Sequence, residues 1–276
     1  MENNIDLEVV EAFGDEWTRF DQSQLSESDQ IEMFNSYFRI FPWSKLPNNA
    51  VGFDLGCGSG RWAKLVAPRV GRLDCIDPST AALEVAKKNL SSYQNCQFHL
   101  ASVDSIPLKD ESADFGYALG VLHHIPNTET GIKCCVSKLK KGAPFLLYLY
   151  YRFDNRSWWF RQIWQASEMG RFFISRLPYA IRYFLSQIIA LIVYLPLART
   201  ALILEKLGFD VDAIPLSFYR HRSFYVMRTD ALDRFGTKLE KRFTKTEISQ
   251  MMERAGLENL VFSDRAPYWC AVGYRK

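Results

Sequence analysis

The stretch Val51–Gly60, VGFDLGCGSG, constrains this chain more than any other. A short apolar run, Val51, Phe53 and Leu55, carries the carboxylate of Asp54 into a turn with glycines at 56, 58 and 60. Arg61–Val66 then reads as the start of a helix. Alternate glycines let the backbone turn tightly from strand to helix and bring its N–H groups against a ligand. The spacing is G-x-G-x-G with an Asp two residues before the first Gly. It differs from the G-x-G-x-x-G of dinucleotide-binding turns.

Three further segments extend the pattern. Arg72–Ile76 reads as a second strand ending at Asp77, followed by a Pro78-Ser79 turn and a helix over about Thr80–Leu90. A doubly wound sheet puts the end of its second strand beside the glycine turn, where an acid can accept two ribose hydroxyls. Asp77 stands there; Asp74 is the rival, inside the strand and three residues early. Phe98 and Leu100 with their neighbours read as a third strand. Ser112–Ile125, SADFGYALGVLHHI, reads as a fourth strand with Asp114 at its start and His123–His124 in the loop beyond it. Ligands bind at that carboxyl edge in open α/β sheets.

In this order and spacing, the four segments resemble class I S-adenosylmethionine (SAM) methyltransferases of the type 11 group, related to quinone-biosynthesis methyltransferases. The resemblance covers Val51–Tyr151 and returns in Phe243–Ala255 as a helix and in Leu257–Phe262 and Tyr268–Tyr274 as strands. It implies a Rossmann-like seven-stranded sheet whose last strand is antiparallel. It also implies that SAM, with S-adenosylhomocysteine as product, is held by Asp54, Gly56, Cys57, Gly58, Gly60, Asp77 and Leu119. The family's usual adenine-binding Asp, five residues before the Pro of SVDSIP, is replaced by Ser102. Asp104 or Ser102 is left to accept from the adenine amine, with the Val103 N–H donating to the ring. Relatives often cover the methionine end of SAM with an N-terminal helix, and Trp17 is the candidate here; a plain core role is the alternative.

The chain divides into an acidic leader with helical spacing (1–50), the SAM-binding core (51–151), an insertion (152–242) and the end of the sheet (243–276). The insertion, about 90 residues, is far above ordinary loop length. It alternates aromatics with arginines, and its middle, Ile181–Leu207, is strongly apolar. Arg182, Pro196 and Arg199 interrupt that run, so no uncharged stretch reaches the ~18 residues of a spanning helix. A helical lid forming the acceptor pocket is expected, with Arg152, Tyr219, Arg220 and His221 as acceptor-binding candidates. The alternative for these arginines is pairing with nearby aspartates on a solvated face; for the apolar stretch it is an interfacial helix serving a lipid-soluble acceptor.

Charge is uneven: residues 1–150 hold 14 Lys and Arg against 19 Asp and Glu, and residues 151–276 hold 20 against 12. No lysine-rich stripe argues for nucleic acid as a partner. The six cysteines form no C-x-x-C pair, which fits buried thiols in a reducing cytoplasm. The acidic N-terminus lacks the pattern of a secretory signal. His123 and His124 are the candidate catalytic bases, since imidazole titrates near neutrality; a backbone-bonded structural role for one of them is the alternative. No metal is expected, because His123 stands where quinone-type relatives carry an acid. The expected acceptor is a small or medium-sized organic molecule, anionic or aromatic, with O-methylation favoured over N-methylation. A membrane-embedded quinone or polyprenyl acceptor, and a SAM-binding partner protein without turnover, are the other readings. Peripheral membrane contact and a homodimer are compatible with the sequence.

Overall fold

A computed structural model describes residues 4–276. Seven strands form one sheet: β1 (Val51–Leu55), β2 (Arg72–Asp77), β3 (Cys96–Leu100), β4 (Phe115–Leu119), β5 (Pro144–Tyr148), β6 (Leu257–Phe262) and β7 (Cys270–Arg275). Their order is β3-β2-β1-β4-β5-β7-β6. The first five run parallel, and β7 is antiparallel to both β5 and β6. The expected Rossmann-like topology with its antiparallel last strand is therefore present. The order reverses direction at β1 and β4, and the crevice outside the carboxyl ends of these strands is where such sheets bind ligands.

Ten α-helices are described: α1 (Leu7–Arg19), α2 (Glu27–Tyr37), α3 (Ala63–Val66), α4 (Thr80–Asn89), α5 (Thr128–Lys138), α6 (Trp158–Ile174), α7 (Tyr179–Ile189), α8 (Leu195–Lys206), α9 (Phe224–Gly236) and α10 (Lys245–Arg254). Their starts follow the local chemistry. The Ser79 side chain accepts from Ala82 N–H at α4, and Asn127 accepts from Thr130 N–H at α5. A reciprocal Thr244–Glu247 capping box opens α10.

The chain forms two compact units. Of the described residues, the first comprises 4–21, 30–152 and 239–276, and the second 22–29 and 153–238. In the first, β1, β4 and β5 supply Phe53, Leu55, Ala118, Phe145 and Leu147 to a core closed by Ile132 of α5 and Ile248 of α10. Strand β5 ends three residues earlier than Tyr151, the end read from the sequence. Tyr151 instead bridges Phe243, and the Phe243 carbonyl accepts from Arg152 N–H at 2.9 Å. The two ends of the insertion thus leave and rejoin the sheet side by side.

In the second unit α7, a π-helical turn (Ala190–Tyr194) and α8 form one continuous helix, Tyr179–Lys206, which by length and composition is long and apolar enough to cross a membrane. Pro196 does not break it. The wider π turn just before it relieves the clash of the proline ring with the preceding carbonyls. Small residues on this helix, Ala190 and Ala198, let it pack on Met227 and Ala231 of α9. Residues 22–29 join this unit through the bonds Gln22 N–H to Tyr225 Oη (3.0 Å) and Ser223 N–H to Asp29 Oδ2 (3.2 Å).

Candidate active site

The glycine turn is stitched to the end of β2. Gly56 and Cys57 donate their N–H groups to the Ile76 carbonyl at 2.7 and 3.1 Å. Gly58 N–H donates to Asp77 Oδ2, and Ser79 N–H donates to Asp77 Oδ1, each at 2.9 Å. Asp77 therefore holds the turn and the start of α4 together. Burial raises its carboxyl to a pKa of about 6, and the Ser79 and Gly58 amides draw it back down. Gly58 has φ +52°, and a Cβ there would lie 2.7 Å from Trp17 Nε1, so the indole rests directly on the turn. Helix α1 reaches this place because Gly14 has no side chain. A Cβ on it would meet Ser79 Oγ at 2.6 Å. The Arg61 guanidinium lies over the Trp17 ring at 5.3 Å.

Asp54 is the most unusual group in the unit. It pairs in register with Tyr117 of β4, is 1% exposed, and neither carboxylate oxygen has a hydrogen-bond partner. Burial raises its pKa to about 8; the nearby Tyr117 hydroxyl lowers it, and the charge of Asp77 raises it further. A buried carboxylate with no partner is costly, and its natural complement is a cation. An ordinary structural aspartate would be bonded, as Asp74 is to Arg72 (3.2 Å) and His99 (2.8 Å). Asp74, the rival for the ribose, is thus engaged along the strand.

The adenine candidates lie in the short 3-10 turn Val103–Ser105. Val103 is buried; the Ser102 hydroxyl lies 3.2 Å from that of Ser105. Asp104 already accepts from Asn4 N–H at 2.5 Å, and Asn4 also bonds Asn127 at the head of α5. Of the two side chains, Ser102 is the one without a backbone donor already bound to it. Cys57 is buried on the turn, and Leu119 is buried at the end of β4.

His123 and His124 sit just beyond β4, both buried. The His123 ring lies tilted against His124 at 4.0 Å and against Tyr150 at 3.9 Å between ring centroids, and neither of its nitrogens has a hydrogen-bond partner. Burial, then the neighbouring His124 and Arg242, hold its pKa well below the usual range, so it is neutral at pH 7. His124 Nδ1 lies 2.7 Å from the Leu239 carbonyl. A carbonyl only accepts, so this bond places the proton on Nδ1 and leaves the lone pair on Nε2. Phe13 of α1 meets the His124 ring edge-on at 4.9 Å.

The segment 239–243 was not anticipated as part of the site. It runs as a strap: Leu239 receives His124, Lys241 N–H donates to the His123 carbonyl (3.0 Å), and Phe243 N–H donates to the Tyr150 carbonyl (2.9 Å). Its sequence, LEKRF, carries no signal of this kind, because the contacts are made by backbone. Tyr117 and Tyr150 were also missed, read only as strand residues.

The acceptor candidates are not brought together within one unit. Arg152 belongs to the first, where it donates to Glu247 (3.1 Å) and the Arg242 carbonyl (2.9 Å). Tyr219, Arg220 and His221 belong to the second. There Tyr219 donates to Asp230 (2.8 Å), while Arg220 and His221 both pair with Glu205 (2.8 Å each). Among the described residues no group of three or more His, Cys, Asp or Glu is placed to hold a metal ion.

Residues 53–147 match a family described as "Methyltransferase domain", the type 11 group. This segment is a class I SAM-dependent methyltransferase domain. The chain shares 29% identity over 132 residues with the tRNA (carboxymethyluridine(34)-5-O)-methyltransferase of Saccharomyces cerevisiae, covering 44% of this chain and 46% of that one. It shares 26% over 91 residues with the ubiquinone biosynthesis O-methyltransferase of Methylocella silvestris, covering 33% and 36%. The chain thus spans less than half the length of these curated relatives. An O-methyltransferase family protein from Burkholderia thailandensis has the same fold, with a TM-score of 0.53, 13% identity, and coverage of 98% of this chain and 60% of that one. The methyltransferase domain uses SAM. The unpartnered Asp54 and the glycine turn fit a ligand that carries both a cation and a ribose.

Proposed function

We propose that the protein is an enzyme that binds SAM at the carboxyl edge of β1, β2 and β4 and methylates a small or medium-sized organic acceptor, preferentially on oxygen. The observation that carries this reading is Asp54, buried and without a partner beneath the glycine turn. SAM supplies an activated methyl group and brings the cationic ammonium that such a carboxylate lacks. Asp77 is assigned to the ribose, Ser102 and the Val103 N–H to the adenine, and Trp17 to the cover over the turn. The preference for oxygen rests on His124, whose fixed tautomer suits it to take a proton from a hydroxyl. Both curated relatives above are also named as O-methyltransferases. Arg152, Tyr219, Arg220 and His221 are the acceptor-binding candidates, each bonded to groups of its own unit in the absence of an acceptor. Six free cysteines fit a reducing compartment, and we place the protein in the cytoplasm.

The test is a SAM titration by calorimetry, followed by a methyl-release assay over phenols, carboxylates, amines and a tRNA. Saturable SAM binding with turnover on a hydroxyl acceptor supports the reading. Binding without turnover on any acceptor would favour a SAM-binding partner protein. Turnover on the tRNA alone would move the acceptor to nucleic acid.

A further inference from the structure

The continuous helix α7–α8 has a sorted surface. Its buried stripe runs through Ser186, Ala190, Tyr194, Ala198 and Ala201, partly against Met227 and Ala231 of α9. Its other side carries Ile181, Phe184, Leu191, Ile192, Val193 and Ile203, all exposed, with Phe184 and Ile192 at 63% each. No charged residue stands between Arg182 and Arg199, and these two arginines turn inward. Arg182 donates to the Gly236 carbonyl at 2.6 Å, and Arg199 donates to the carbonyls of Arg220 (2.8 Å) and Arg222 (3.3 Å). A helix side built for water carries such charges outward. Helix α6 adds exposed Trp158, Ile163, Met169, Phe172 and Phe173 to the same unit. A surface this apolar marks an interaction site.

Charge selects the occupant. Residues 153–238 hold 12 Lys and Arg against 7 Asp and Glu. Two of these acids are matched within the unit, Glu168 by Arg171 and Arg234, and Glu205 by Arg220 and His221. Arg161, Arg176 and Lys206 are exposed near the apolar residues, and the Arg176 guanidinium stands 3.6 Å over the Phe172 ring. Long cationic side chains at the edge of an apolar face rest their stems on it and reach their heads to anionic lipid headgroups. A twofold pairing with a second copy would instead bring this cationic surface against itself.

We propose that the second unit docks on an anionic lipid bilayer, with the apolar side of α7–α8 lying in the plane of the interface. The packing of its inner stripe on α9 suits a helix lying on the membrane rather than one crossing it. This inference goes beyond the methyl-transfer reading and does not depend on it.

The test is co-sedimentation of the full chain with vesicles of phosphatidylglycerol and phosphatidylcholine, against phosphatidylcholine alone, at low and high salt. Binding is expected to the anionic vesicles and to weaken with salt. The double substitution Phe184→Asp with Ile192→Asp should lower partitioning by about tenfold or more per site. Phe172→Asp, on a separate helix, should lower it independently. Both positions are exposed, so thermal melting and SAM affinity should match the parent chain, which separates this result from the fate of the methyl-transfer reading. Failure to bind anionic vesicles, or binding unchanged in both variants, would overturn the proposal. So would a dimer that the double variant dissolves in a chain that ignores vesicles.

Discussion

Replacing Asp54 with Asn should make the ligand-free protein more stable while abolishing its high-affinity SAM binding. In the folded chain the carboxyl titrates near pH 8, against an ordinary value of 3.8. A carboxyl with a raised folded pKa gives up its proton more readily in the unfolded chain, so folding loses stability as pH rises from about 4 to about 8. At 1.36 kcal/mol per unit, the penalty accumulated by pH 7 is at most about 4 kcal/mol, and at pH 5 under 2 kcal/mol. Asn cannot ionise and escapes this penalty. Its amide is as poorly partnered as the protonated acid, so that part of the desolvation is common to both. The variant should therefore gain about 1–4 kcal/mol at pH 7, with the gain growing between pH 5 and pH 8 and levelling above it. Urea denaturation of parent and variant, followed by far-UV circular dichroism at pH 5, 7 and 9, measures this directly. A variant that is less stable than its parent, or a difference that does not change with pH, would refute the reasoning.

Other outcomes follow from the same geometry. Asp77→Asn should weaken SAM binding while keeping an oxygen for one of the Gly58 and Ser79 amides; Asp77→Ala should also lower the melting temperature, a difference visible by comparing the two variants in calorimetry and thermal melts. Gly58→Ala places a Cβ at φ +52° against Trp17, and SAM affinity should fall about tenfold or more in titration. His124→Gln should lower kcat on a hydroxyl acceptor while leaving the SAM dissociation constant within about twofold, as measured by steady-state kinetics and titration. His123 is held neutral by burial, so the fold loses stability as pH falls below about 6.5, where the unfolded imidazole takes up a proton. His123→Leu should flatten that acid limb in denaturation curves between pH 7 and pH 5.

The glycine turn and the acid at the end of β2 were legible because each has a local cause in sequence, whereas the seven-stranded sheet with its antiparallel last strand was implied by the family resemblance. Gly56, Gly58 and Gly60 all take positive φ, and alternating or continuous apolar runs mark the strands. The unpartnered state of Asp54 was not legible, since it depends on which groups fail to approach it. The strap at 239–243 escaped because it acts through backbone N–H and C=O groups, which every residue carries. Pro196 marked an interruption in sequence, yet the π turn before it carries the helix through. The charge cluster around Arg220 was half legible: pairing with acids was the alternative expectation, but its main partner is Glu205 of α8, which is 15 residues distant in sequence and brought near by the turn after that helix.

The central claim is that Asp54 waits for a cation carried by SAM. Calorimetric titration of SAM at pH 7 in buffers of different ionisation enthalpy tests it most directly. The account predicts saturable binding at one site with release of close to one proton, as the carboxyl that titrates near pH 8 ionises against its partner, and loss of both binding and proton release in Asp54→Asn. Binding in the parent chain with no proton release, and unchanged in Asp54→Asn, would contradict it.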